Sequence, residues 1–187
     1  MILFIISAVV FFAIFSFIAE RKAPEEYSKK INTLDELACQ NYENRTIMQW
    51  GYWGFGILIV VGILININSS IKEFHYSIPL LFYSGFMILA GLFSAKPFEH
   101  LVFYSISESK KHTIFMQLAE FSIGLLIMMK LIIEVGTFNR VFNVIVLIVV
   151  LYSSIMGGRS SNKRGLYERM KYFAHFFWLI YANSSLM

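Results

Sequence analysis

Four ionisable side chains recur at helical spacing through one apolar stretch: His112, Glu120, Lys130 and Glu134. At 100° per residue they fall within an arc of about 80°, so a single helix face carries all four. A charge at the centre of a bilayer costs at least about 2.5–3.5 kcal/mol. That face therefore belongs against other helices, a water-filled cavity or another protein. The chemistry this would support is a polar cavity with Glu120 as its intramembrane acid and His112 at its mouth. A plainer account is also available. Lys130 and Glu134, spaced i,i+4, pair with each other; His112 and Glu134 snorkel from the helix ends; a Ser, Tyr or Trp of a neighbouring helix holds Glu120.

The segment ahead of this stretch adds His100 and Glu108. With His112 and Glu120 they are metal-ligating types, but their spacing fits no compact motif such as H-E-x-x-H, so neither a metal nor another cofactor is expected. Ser107 or Ser109 with Glu108 suits a helix N-terminus before His112. His175, one turn before Trp178, is a further ligand-binding candidate, with a hydrogen-bonded core histidine as the alternative. No nucleophile elbow, P-loop or dinucleotide fingerprint occurs. The single cysteine, Cys39, has no partner for an internal disulfide.

The elements that must position these groups follow from hydropathy. The 187 residues are 57% hydrophobic and 15% charged, with 19 phenylalanines. So few charges cannot cover so much apolar surface in water, whereas a bilayer tolerates an apolar exterior. A bilayer-spanning helix needs about 20 apolar residues. Six segments qualify, at 1–19, 46–66, 76–93, 113–135, 138–156 and 170–186, the first as a retained span rather than a signal peptide. Long apolar runs without period-2 alternation argue against a β-barrel. The expected fold is all-α, one polytopic transmembrane bundle over 1–187. The short link at Gly136–Thr137 makes the fourth and fifth helices antiparallel neighbours. Gly51, Gly54 and Gly56, with the pairs Ala90/Ser94 and Gly91/Ala95, allow close helix approach. Trp50, Tyr52 and Trp53 read as an interfacial belt, and Glu168 and Arg169 as headgroup anchors ahead of the last helix.

Of the 16 Lys and Arg residues, all but Lys72, Lys130 and Arg140 flank or occupy the connections 20–45, 94–112 and 157–169, up to Lys171. The positive-inside rule then places these three loops in the cytoplasm and both termini outside, in the cell membrane. The net charge of +4 suits an anionic lipid surface. No basic stretch interleaved with stacking aromatics points to nucleic acid.

Several stretches together carry a likeness. Tyr27-Ser28 and Ile31-Asn32-Thr33-Leu34-Asp35-Glu36-Leu37 follow the first helix. Asn44-Arg45-Thr46-Ile47-Met48 enters the second, Gly91-Leu92-Phe93 ends the third, and Gly165-Leu166-Tyr167-Glu168-Arg169 precedes the last. The chain resembles the six-helix prokaryotic membrane family catalogued as domain of unknown function 998. The resemblance implies a bacterial protein with six helices and draws attention to the 27–45 loop and His112; it implies no catalytic role.

The expected function is binding of a membrane lipid or small lipophilic molecule in a polar-lined cavity formed by Glu120, His112, Glu108, Lys130, Glu134 and His175, or service as an accessory subunit beside a membrane-protein partner or a second copy. One rival is an intramembrane enzyme with Glu120 and His112 as acid–base groups. Another is the substrate-binding subunit of a small-molecule transporter.

Overall fold

The computed structural model describes residues 1–68, 74–98, 103–133 and 136–184. Among them are six α-helices: α1 (Ile2–Arg21), α2 (Arg45–Ile65), α3 (Phe74–Leu92), α4 (Ile106–Ile133), α5 (Thr137–Arg159) and α6 (Arg164–Ser184). A short 3₁₀ turn, Asp35–Ala38, interrupts the α1–α2 loop. No strand occurs among the described residues, only an isolated bridge at which the loops at Cys39 and Ala95 exchange backbone hydrogen bonds.

Helices α1 to α5 are each long and apolar enough to cross a membrane. The chain is a multi-pass membrane bundle. Its outer face is apolar, as lipid requires: Leu3, Val10, Phe121, Ile132, Ile148 and Phe173 are all at least half exposed. α1 to α4 pack in sequence order, each on the next, except that the glycines of α2 serve both of its neighbours. A β-carbon at Gly51 would stand 3.3 Å from Phe15 Cβ of α1, and one at Gly56 would stand 2.5 Å from the Ser84 carbonyl of α3. Close approach of backbones replaces the hydrophobic drive that lipid removes.

α6 differs from the others. It carries Arg164, Glu168, Arg169 and Lys171 in its first two turns, and it starts at Arg164 rather than Met170 because the loop 22–44 folds over its N-terminus. Its inner face touches all five other helices. Tyr172 and Phe176 pack their rings on Phe12 of α1 (5.2 and 5.1 Å), and Phe176 meets Phe55 of α2 (5.2 Å). His175 stands edge-on to Tyr83 of α3, and Asn183 donates to the Tyr76 hydroxyl of the same helix (2.5 Å). Lys171 pairs with Glu120 of α4. Trp178 donates its indole N–H to Asn143 of α5 (2.7 Å). A helix surrounded by neighbours can be the least apolar one in the bundle, since each polar group has a partner to meet.

α5 does not pack closely on α4, although only a short link joins them. Its buried stripe, Asn143, Val146, Val150 and Ser153, faces mainly α6, and Tyr181 of α6 donates to Asn139 (2.5 Å). α4 and α5 touch less extensively, and with α6 they border an open space beside Glu120 and Ser153. Tyr52 is likewise no belt residue. It is fully buried, while Trp50 stays half exposed against Trp53. The aromatic trio divides because Tyr52 lies on the face of α2 that turns inward.

Candidate functional site

The polar groups concentrate at the end of the bundle where α1, α3 and α5 finish and α2, α4 and α6 begin. Two arrangements meet there: a latched loop and an open cleft.

Arg169 holds the loop. Its Nε and one terminal nitrogen donate to Glu20 of α1 (2.9 and 2.7 Å). It also donates to the carbonyls of Lys29 (2.8 Å), Asn32 (3.0 Å) and Gly165 (2.9 Å) and to the Tyr27 hydroxyl (2.7 Å). The rigid guanidinium fork can serve so many acceptors at once, which an ammonium cannot. Tyr27 in turn donates to the Thr33 carbonyl (3.0 Å). Burial pushes its phenol well above the ordinary range, against the pull of Arg169. Backbone N–H groups of Gly165 and Leu166, unsatisfied at the start of any helix, donate to the carbonyls of Ile31 (3.1 Å) and Lys30 (3.2 Å). The loop passes so close that a β-carbon at Gly165 would collide with the Asn32 carbonyl and stand 2.7 Å from that of Lys29.

The 3₁₀ turn then delivers its acids into the bundle end. Asp35 accepts hydrogen bonds from Tyr52 of α2 (2.5 Å) and Tyr172 of α6 (3.2 Å). His112 Nε2 faces Asp35 Oδ2 at 3.9 Å, beyond hydrogen-bond reach. Its Nδ1 lies 2.9 Å from the Ala90 carbonyl and 3.0 Å from that of Phe93. With only carbonyls as partners, Nδ1 carries the proton, and His112 ties α4 to the last turn of α3. Glu108 does similar work, accepting from the Ser94 N–H (3.0 Å). The N-cap of α4 is Ser105, whose hydroxyl accepts from the Glu108 N–H (3.4 Å); it is neither Ser107 nor Ser109, because the helix begins at Ile106.

The cleft lies beside this latch. It has a volume of about 220 Å³ and opens between α4, α5 and α6. Glu120 contributes from α4 and Lys171 from α6, paired across the gap. Glu168, whose carboxylate accepts the Leu34 N–H, and Arg164, bound to Glu36, close the side toward the loop. The α5 wall is Ser153, Ser154, Gly157 and Gly158. The Ser153 hydroxyl is buried and has no hydrogen-bond partner. A β-carbon at Gly158, or at Gly124 one turn beyond Glu120, would meet nothing within 4 Å.

The four-residue stripe on α4 is thus divided. His112 faces the latch and Glu120 the cleft. Their eight-residue separation puts them about 12 Å apart along the helix axis. That is too far for the two to act as acid and base on one bond, which requires hydrogen-bond reach of the reacting group. Lys130 is buried near the far end, its ammonium 5.2 Å from the centre of the Tyr76 ring. Glu134 and His100 lie outside the described residues. His175 is buried deeper in the bundle, its Nε2 without a hydrogen-bond partner, as is the hydroxyl of its neighbour Tyr83. Among the described residues no three His, Cys, Asp or Glu side chains gather as a metal site.

Asp35, Glu168, Arg169 and Lys171 went unrecognised as site residues. A last helix starting at Met170 leaves Glu168 and Arg169 as headgroup anchors and Lys171, at its first turn, among the loop charges, whereas α6 starts at Arg164. A signal was nevertheless there: Glu168, Lys171, Tyr172 and His175 follow i, i+3, i+4, i+7 spacing, the mark of one helix face. Glu120 is held by Lys171 and not by a Ser, Tyr or Trp. No family model matches the chain, and no curated protein or solved structure does either.

Proposed function

We propose that this protein binds an amphiphile, a lipid or small lipophilic molecule, whose polar head occupies the cleft between α4, α5 and α6 and whose apolar part lies along the apolar outer faces of α4 and α5. The observation that carries this reading is an ion pair, Lys171–Glu120, set within the helical span beside an open space. A pair made only for stability would be closed over, since charges in an apolar medium are costly unless fully satisfied. Here the Glu120 side chain keeps 32% of its surface exposed, the Ser153 hydroxyl lacks a partner, and Gly158 leaves the α5 wall open. Ligand pockets combine an apolar surround with a few convergent polar groups in this way.

In this reading the protein lies in the cell membrane as a six-helix bundle of the family its sequence resembles, with the latch and the mouth of the cleft on the cytoplasmic side. The separation of His112 from Glu120 favours a binding protein over the acid–base enzyme. Native mass spectrometry of the full chain in mild detergent tests the proposal. Wild type retains a lipid-sized adduct, and Gly158→Trp, which fills the cleft from an exposed position near the end of α5, loses it while remaining monodisperse and helical. A wild-type protein that flies without any adduct, or an adduct indifferent to Gly158→Trp, would overturn it.

A further inference from the structure

We infer that the head recognised by this cleft is zwitterionic, carrying a phosphate and an ammonium together; this rests on reading the cleft as an amphiphile site. Its lining holds two cations, Arg164 and Lys171, and the Glu120 carboxylate, with Glu36 held on Arg164 at the mouth. A head bearing only negative charge would approach the Glu120 carboxylate, and a head bearing only positive charge would approach both cations. Either head would bring like charges together where little water screens the repulsion. A head with both charges instead finds a partner for each.

The placement of the groups fits that exchange. The Lys171–Glu120 pair forms one contact across the cleft, and a zwitterion inserted there would replace that one charge-assisted contact with two: phosphate on Lys171, ammonium on Glu120. Arg164 stands at the mouth with 46% of its side chain exposed and donates to Glu36 through one terminal nitrogen. Its remaining donors suit a phosphate, which a guanidinium binds in a bidentate manner. The buried Ser153 hydroxyl, without a partner, supplies one further hydrogen bond to the head. Gly124, one turn along α4 from Glu120 and open on its Cα side, leaves room where the apolar chains would continue.

The test is a panel of defined lipids added to delipidated full-length protein and scored by native mass spectrometry: phosphatidylethanolamine, with both charges; phosphatidylglycerol, with the phosphate alone; and diacylglycerol, with neither. Wild type should retain phosphatidylethanolamine at least about ten-fold better than either of the others. Glu120→Gln removes the ammonium site and releases Lys171, so phosphatidylglycerol should rise to equal or exceed phosphatidylethanolamine. A misfolded variant would lose both lipids and could not produce that gain. Arg164→Gln, at the exposed mouth, should weaken both phosphate lipids together. Wild type preferring phosphatidylglycerol, or holding diacylglycerol equally well, would overturn the zwitterion while leaving an amphiphile site in place. Retention of none of the three, or retention unchanged by Gly158→Trp, would remove the site itself.

Discussion

Lys171 of α6 meets Glu120 of α4, 51 residues earlier, inside the helical span and at the edge of an open cleft. Neither residue is buried beyond solvent, with 13% and 32% of their side chains exposed. Pairing here satisfies two charges without closing the space between three helices, and that space is what the proposed binding uses. Exchanging the two, Glu120→Lys with Lys171→Glu, should restore thermal stability lost in either single variant. Thermal unfolding in detergent reads this out. Each single change should cost about 1–3 kcal/mol, and a double variant no better than the sum would contradict the pairing.

The latch makes its own prediction. Arg169→Lys keeps the charge but loses the fork, so the Glu20, Lys29, Asn32 and Tyr27 contacts cannot all be kept. Stability should fall by about 2–3 kcal/mol, and Arg169→Ala should not be much worse. A fully active substitute lysine, with unchanged melting, would show that charge alone holds the loop.

Gly165→Ala should open the same loop by another route. Its β-carbon collides with backbone carbonyls of the passing chain rather than with a side chain that could turn away. The expected cost is about 1–3 kcal/mol, together with faster proteolysis between Ala23 and Asn44. Gly158→Ala, facing open space, is the matched control and should leave both properties unchanged.

Tyr52 and Asp35 offer a sharper separation of belt from core. Tyr52→Phe deletes a 2.5 Å hydrogen bond to a carboxylate and should cost about 1.5–3 kcal/mol. A residue of a membrane-interface belt would tolerate the change. Combining it with Asp35→Asn in a double-mutant cycle should give a coupling energy well above the about 0.3–0.5 kcal/mol expected for independent sites.

Orientation is open to labelling. In a Cys39→Ala background, a cysteine at Ser28 should react with an impermeant maleimide only after the membrane is permeabilised, and one at Asn68 should react in intact cells. The reverse pattern would contradict the topology drawn from the Lys and Arg distribution.

The amino-acid sequence made α1 to α5 legible because each is a long apolar run, and their limits differ from the observed ones by a few residues, except that α4 starts at Ile106 rather than 113, its first two turns being polar. α5 continues past the Gly157–Gly158 pair to Arg159, since an unfavourable propensity of about 1 kcal/mol per glycine is a weak stop. α6 was harder to read. Its inner face is polar because partners on every side satisfy it, and hydropathy treats such charges as loop. The inward face of α4 was visible in the spacing of His112, Glu120 and Lys130, whereas their partners were not. Asp35 and Lys171 come from elements distant in sequence, and only the packing of α6 through the bundle brings them together.

Site-specific photocrosslinking in native membranes tests the central claim most directly. With a photoactivatable phosphatidylethanolamine supplied to cells, adducts should concentrate on the 153–158 segment of α5 and near Glu120 and Gly124 of α4, and should vanish in Gly158→Trp. Adducts spread evenly along the lipid-facing surfaces of α1 and α5, with no excess at the cleft and no loss in the variant, would contradict it.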